Sequence, residues 1–413
     1  MTDKLSPLPE KKSLFKNHPI TFLLIIMLSF LVIMGLFNRF FFAPKIFLLL
    51  FTILLALFLG KLDLFYRDWF VFLSFIYLFD TMRGTIYILT CRLDLPVHML
   101  YVIKWDRFLF GEVPSVTLQR ALLDPLHYTW LEKSLTALHG THFVAFLIVG
   151  LLIWLHRPRS FYLFRRSFYL VTFLGVLGYG IIPTAPPWMA SKYFGVLPAL
   201  TRFNAEIYNM VIPDITSGFN TNPIAAMPSL HTAFPVLASL ILWKLFRWKA
   251  LPFIVYTLVV LSTIIYTGDH YIVDILAGAG LALLCYLLAF KMREKDKTTQ
   301  AAGNTKKIFI TGFVLLAIGI SVGIYNKHQF VSFHDHYDFS YAPTYIDFFN
   351  HEPAYEQNYK VQMYFGSYYF LRKDYEKALH YYEQAHKAAD QFVDERLAEL
   401  KIKQTQTLLN RNR

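Results

Sequence analysis

Charge is scarce in this chain. Only 16% of its 413 residues are Asp, Glu, Lys or Arg, against roughly 25% in an average soluble domain. Cysteine is almost missing: Cys91 and Cys285 are the two, which excludes a disulfide framework and a cysteine-rich zinc site. No basic motif sits on a groove-reading element, so the formal charge of +12 does not announce nucleic acid, and no nucleic-acid partner is expected. Lys and Arg stand in short clusters between apolar runs, as membrane topology requires. What is plentiful is apolar surface. Hydrophobic residues make up 55% of the chain, with 40 Phe and 26 Tyr, more than one soluble core needs; the composition is that of an integral membrane protein.

Nine apolar segments approach the ~20 residues that cross a hydrocarbon core. They lie at 18–37, 44–60, 69–90, 134–155, 167–183, 231–246, 250–267, 271–290 and 308–325. The first follows Lys4, Lys11, Lys12 and Lys16 as a signal peptide would. Its apolar run ends on Asn38-Arg39 and aromatics, without a small-residue cleavage site, so it is expected to be a retained anchor. Basic residues recur in every second connection, at Lys61/Arg67, Arg157 to Arg166, Lys244/Arg247/Lys249 and Lys291 to Lys297. These connections are expected in the cytoplasm, with 91–133, 184–230, Thr267-Gly268-Asp269 and the C-terminal tail on the outer side of the plasma (inner) membrane. Cys91 and Cys285 then fall near opposite faces, too far apart to pair.

The expected fold is an all-α polytopic transmembrane bundle. Residues 1–66 would hold a basic tail and two spans, 67–292 the catalytic core, 293–326 a linker and the last span, and 327–413 an extracytoplasmic tail. From Asn358 the tail reads as a helical hairpin. Gly366, Tyr369, Ala378, Tyr382 and Ala385 have the spacing of one tetratricopeptide repeat, with Lys373-Asp374-Tyr375 at the turn. A generic amphipathic hairpin is the alternative. One repeat cannot bury its own face, so it should pack on 391–410 or on a protein partner.

Two stretches could carry chemistry: Met227-Pro228-Ser229-Leu230-His231-Thr232-Ala233 and Gly268-Asp269-His270-Tyr271-Ile272-Val273-Asp274. His270 and Asp274 are i and i+4, which on a helix share a face. A carboxylate there takes the proton of one imidazole nitrogen and leaves the other as a nucleophile. His231 enters from another helix at the same depth and can protonate a leaving oxygen. A lone histidine at a helix end is more often a polar cap. Two histidines and a carboxylate at one level of a bilayer are a costly coincidence.

These blocks resemble the type 2 phosphatidic acid phosphatase superfamily, with its Pro-Ser-x-His and later His-x-x-x-Asp. By that resemblance His270 is the nucleophile of a phosphohistidine intermediate, Asp274 its orienting partner and His231 the general acid, with Ser229 and neighbouring amides holding phosphate oxygens. Pro183-Thr184-Ala185-Pro186-Pro187-Trp188, Asp106 to Gly111 and Asp80 to Gly84 are similar to the branch of inositol phosphorylceramide synthases. The resemblance implies a phosphotransferase acting on a membrane lipid, or a lipid phosphate phosphatase if water is the acceptor. A non-catalytic membrane scaffold that recruits a partner through the tail is the alternative of another class.

The sequence departs from the wider superfamily in lacking Lys-x6-Arg-Pro and the Ser-Arg pair before the second histidine; Thr263 and Ile264 stand there. The phosphate still needs cations or fixed N–H donors. Counting ~1.5 Å per residue from Asp68 places Arg83 near the depth of the histidines, although Asp80 one turn earlier could merely neutralise it. Lys104, Arg107 and Arg202 lie on outer loops as further candidates. His142 faces the same pocket or serves as a helix–helix contact. His328, His334, Asp335, His336 and Asp338 could be read as metal ligands, but an irregular polar loop explains them as well, and no metal or organic cofactor is expected.

Overall fold

The computed structural model describes residues 66–93, 95, 97–124, 127–192, 196–211, 222–295, 305–333, 358–389 and 392–412. The expected spans at 18–37 and 44–60, and the His334–Asp338 cluster, lie outside the described residues. Among those described every regular element is helical, and the only bridge pairs are the isolated His98–Thr184 and Thr184–Ala225. The chain divides into two compact units, Met1–Leu78 with Ala301–Gly319, and Phe79–Gln300 with Ile320–Arg413.

The first unit contains the beginnings of α1 (Val71–Arg92) and of a later helix, Thr305–Phe333. Their contact is close because Gly312 has no side chain: a Cβ there would meet the Phe70 ring at 2.3 Å. Phe313 packs beside it, 5.4 Å from Phe70.

In the second unit α2 (Leu100–Phe110) is amphipathic. Leu100, Val102, Ile103 and Asp106 turn inward, while Trp105, Phe108 and Phe110 are exposed, the pattern of a helix lying along an apolar surface. After α3 (Pro114–Leu122) comes α4 (Trp130–His156), opened by a capping box between Thr129 and Glu132. Its halves, Trp130–His142 and Val144–His156, meet at 52°. It is followed by α5 (Pro158–Ile181), α6 (Pro187–Lys192), α7 (Phe203–Val211), α8 (Leu230–Phe246), α9 (Leu251–Tyr266), α10 (Ile272–Lys295) and α11 (Thr305–Phe333).

By length and composition, Asp68–Thr90, Leu230–Tyr266 and Ile272–Lys291 can each cross a membrane, and the bent α4 makes a fourth candidate. The 37-residue run Leu230–Tyr266 is not one straight rod. In a straight helix Ser239 and Thr257 would be about 27 Å apart, yet their hydroxyls hydrogen-bond at 2.9 Å. The chain therefore doubles back at Arg247, whose φ is 52°. This agrees with two segments where the hydropathy is continuous.

The helices that carry the two histidine blocks touch backbone to backbone. A Cβ on Gly278 of α10 would lie 2.3 Å from the Ser229 carbonyl oxygen, and one on Gly178 of α5 would lie 2.6 Å from the Pro228 ring. Glycine at both positions is what lets α8 begin in the angle between α5 and α10. On the far side of the unit, Asn326 of α11 donates to the Thr81 carbonyl at 2.7 Å and accepts from Thr85 at 3.2 Å, buried polar pairing that ties α11 to α1.

The tail forms α12 (Tyr359–Leu371), α13 (Tyr375–Ala388) and α14 (Phe392–Asn412). Asp374 caps α13 by accepting from the Lys377 amide, and Lys373 takes the positive φ of the turn. A Cβ on Gly366 would meet the Tyr382 ring at 2.4 Å, and Ala378, Tyr382 and Ala385 are fully buried. α12 packs on α13, and α13 on α14. Val361 and Phe365 of α12 also join the buried cluster of Met99, Val102, Met189, Ile224 and Tyr271.

Candidate active site

Ser229 starts α8. Its hydroxyl oxygen accepts from the Thr232 amide at 3.2 Å and the Thr232 hydroxyl at 3.1 Å, and its own amide donates to the Asp274 carbonyl at 3.2 Å. The cap orients the first turn of α8, and the link to Asp274 sets that turn against the start of α10. Having accepted twice, the Ser229 hydroxyl still has a proton to donate.

His270 sits in the turn before α10 rather than on the helix, which begins at Ile272. The turn is held from several sides. Gly268 adopts φ +71° and its carbonyl accepts from the Trp188 amide at 3.0 Å, while the His270 amide donates to the Ile264 carbonyl at 3.1 Å. Asp274 remains within reach: its Oδ2 lies 3.5 Å from His270 Nδ1 and accepts from the Tyr271 amide at 3.0 Å. Nδ1 of His270 and Oδ1 of Asp274 are buried without a hydrogen-bond partner. A small rotation would join them, and catalytic contacts commonly tighten in this way when substrate binds.

The other nitrogen of that ring, Nε2, is 2.8 Å from Nδ1 of His231. Asp274, His270 and His231 thus form one line across α10 and α8. His142 of α4 joins it, its ring centroid 4.4 Å from that of His231, and His139 lies 4.9 Å from His142 and 5.4 Å from His231. His142 thus stands beside His231. His139 was not anticipated; its position three residues before His142 was the available signal.

Two carboxylates hold the line in place. Asp106 accepts from the amides of Ile272 at 3.1 Å and Val273 at 3.2 Å, capping α10 from α2. Burial pushes its carboxyl up to about 6; the two amide bonds oppose that shift and the charge on Asp274 adds to it. Asp269 accepts from Arg202 at 2.8 Å, Asn204 at 2.7 Å and Thr267 at 2.8 Å. Burial alone would raise Asp269, but Arg202, His139 and the Thr267 hydroxyl hold it at about 2. Arg202 also lies over the Trp188 ring at 4.8 Å.

Among the expected cations, Arg83 is half-buried on α1, with its Nη1 3.4 Å from Asp80 and its Nε without a hydrogen-bond partner. It is within electrostatic range of Tyr179 and His231. Arg107 and Lys104 are exposed on α2, so of the outer-loop cations Arg202 is the one beside the histidine turn. The side chain of His328 lies outside the described set.

Asp106 supplies a first prediction. Because its folded value is raised, its contribution to stability is greatest in acid and is lost as pH rises toward about 6. The grip on the two amides needs the anion, so turnover should move the other way and fall as pH drops through about 6. Asp106→Asn should lower turnover at neutral pH and flatten that acid limb. A pH–rate profile whose limb is unchanged in the variant would assign it to another group.

The comparisons with known proteins bear on this stretch. Residues 100–288 match the family profile described as PAP2 superfamily, and that stretch contains both histidine blocks. Among curated proteins the chain is similar to inositol phosphorylceramide synthases. It is 38% identical over 153 residues to the phosphoinositol dihydroceramide synthase of Bacteroides thetaiotaomicron, covering 34% of this chain and 50% of that protein. It is 29% identical over 214 residues to the catalytic subunit of the Schizosaccharomyces pombe inositol phosphorylceramide synthase, covering 48% of each. The Candida albicans inositol phosphorylceramide synthase is 27% identical over 206 residues, covering 46% of this chain and 42% of that protein. The chain spans about half the length of these curated relatives. No solved structure matches it.

Proposed function

We propose that the protein is a membrane phosphotransferase that joins a phosphoinositol group to a ceramide-type lipid alcohol through a phosphohistidine. The observation that carries this reading is the Asp274–His270–His231 line, with 2.8 Å between the two rings, inside the stretch that matches the PAP2 superfamily profile. The names of the relatives put inositol on the phosphorus, so the donor is read as an inositol phospholipid and the acceptor as a lipid hydroxyl.

His270 Nε2 attacks phosphorus in line, an N–P bond forms, and the P–O bond to the departing lipid breaks while protonated His231 gives that oxygen its proton. Asp274 holds the proton on Nδ1 of His270. In the second half His231 takes the proton of the acceptor hydroxyl, its oxygen attacks phosphorus, and the N–P bond breaks. Rings 2.8 Å apart leave no room for phosphorus, and a near-attack geometry needs about 3–3.5 Å to each reacting atom. Substrate entry must therefore part the pair. Arg83, His142 and the Ser229 hydroxyl are assigned to the phosphate oxygens, and no cofactor takes part in these steps.

The test is incubation of purified protein with a labelled inositol phospholipid, with and without dihydroceramide, followed by chromatography of the products. A labelled lipid formed only with dihydroceramide is the expected result. Release of water-soluble inositol phosphate at the same rate in both arms would make the protein a hydrolase.

The nine-span topology, with site and tail both on the outer face of the plasma membrane and the hairpin as one tetratricopeptide-like repeat, belongs to the same proposal. It is supported by α12, which shares a buried cluster with Met99 and Tyr271 beside the histidine turn. A cysteine placed in the tail should react with an impermeant thiol reagent on intact cells; labelling only after lysis would reverse the orientation.

A further inference from the structure

A groove runs between the bent α4 and the turn that joins α8 to α9. Its volume is about 860 Å³, in the range of cavities that enclose small organic molecules. One wall is α4, where Ala137, Gly140 and Ala145 are small enough to leave a recess; Leu242 and Phe246 of α8 and Phe253 of α9 build the other. From Ala137 to His156 the groove follows α4 for about 28 Å along the helix, more than the ~15 Å of hydrocarbon in one leaflet. The end near Ala137 has no hydroxyl proton to offer. Thr141 donates to the Leu138 carbonyl at 2.7 Å, so its oxygen takes the proton of the Tyr256 hydroxyl, 3.0 Å away. That end suits a hydrocarbon tail.

The other end is basic. His156 and Lys249 line it, both exposed, and the exposed Arg157 follows directly. No acidic residue occurs between Glu132 and Glu206 or between Asp214 and Asp269, so neither chain segment that forms this mouth has a carboxylate of its own. An anionic phosphate is its complement, and at a lipid surface each basic side chain strengthens such binding about 5-fold. The phosphate that reacts at His270 is not the one in question. The 16 residues of α9 put Lys249, just before that helix, about 24 Å from the histidine turn that follows it.

We propose that the groove is the site of one resident anionic phospholipid, its acyl chain lying along α4 and its phosphate held at the mouth by Lys249 with His156 and Arg157. A negative head and an apolar tail in one molecule match a groove that is apolar along its length and basic at one end. The site is separate from the transfer reaction and does not depend on it. A lipid bound there stabilises the folded chain in proportion to its occupancy.

In the experiment the full chain, delipidated in detergent, is titrated with phosphatidylglycerol, with phosphatidylcholine and with inorganic phosphate. Bound lipid is counted by native mass spectrometry while the thermal midpoint is followed. Phosphatidylglycerol should bind the unmodified chain about 10-fold more tightly than phosphatidylcholine and raise the midpoint. Lys249→Glu, a change at an exposed position, should erase that preference. Ala145→Phe, which fills the recess, should weaken both lipids about 10-fold by excluding part of the chain. Inorganic phosphate should leave the midpoint where it was, having no tail to bury. Equal binding of the two lipids by the unmodified chain would mean annular lipid only and overturn the site. A preference that survives Lys249→Glu would do the same for the mouth, and that variant keeps the test decisive if Ala145→Phe fails to fold. The proposal would also fall if inorganic phosphate alone raised the midpoint as far, or if Ala145→Phe released a second copy of the chain instead of a lipid.

Discussion

His270→Ala is expected to abolish transfer on every substrate, whereas His231→Ala should retain activity wherever the leaving group needs no proton. On a lipid substrate the loss of the acid should cost about 10²–10⁴-fold. On an activated aryl phosphate, whose phenolate departs unaided, His231→Ala should come within about 10-fold of the unmodified protein by the same reasoning. His270→Ala has no such escape, because the N–P bond cannot form. The double variant should be little worse than His270→Ala alone, since groups that act as a unit do not lose activity additively. The 2.8 Å contact makes the roles look interchangeable; the position of Asp274, 3.5 Å from His270 and behind it, is what separates them. Acid-labile phosphorus trapped on His231 would reverse the assignment.

Arg83→Gln should reduce kcat/KM by about 10²–10³-fold, the usual cost of removing one fixed donor to a phosphoryl or oxyanion group. A lipid phosphate entering a partly dehydrated site brings charge that must be matched. The wider superfamily's Ser-Arg pair is absent before His270, where Thr263 and Ile264 stand, and Arg83 is a half-buried guanidinium within electrostatic range of His231. Asp80 binds it through one nitrogen at 3.4 Å, and Nε remains without a partner, so the fork is not used up by that ion pair. Arg83→Lys should recover only part of the loss, because a point charge does not reproduce two parallel N–H bonds. The structural alternative has its own signature. If Arg83→Gln unfolds the protein and Asp80→Asn with Arg83→Gln restores full transfer, the pair serves the fold alone and the phosphate must rely on Arg202.

The residues of the proposed reaction line could be picked out from the chain because each block is local. Ser229 two residues before His231 reads as a helix N-cap, and His270 lies only four positions before Asp274. Membrane character was equally plain, since apolar runs near 20 residues with basic connections have few other uses. The break at Arg247 was legible too, through its cluster of Lys244, Arg247 and Lys249, although hydropathy runs on from Leu230 to Tyr266. In the tail the small Gly366 faces the Tyr382 ring.

What the chain could not reveal were the partners that meet only across helices. Asp106 stands 166 positions from the amide it caps, and nothing in its neighbourhood says that it turns inward while Arg107 turns outward; that follows from which face of α2 the core takes. Asp269 could be seen beside His270, but not its cage of Arg202, Asn204 and Thr267. His139 appears in sequence as one polar residue in an apolar helix, and only the close seating of α8 against α5 and α10, allowed by Gly178 and Gly278, brings it to His231. Sequence periodicity encodes which side of a helix is apolar; the angle at which two helices meet, and so which side chains share a proton, depends on packing summed over the whole bundle.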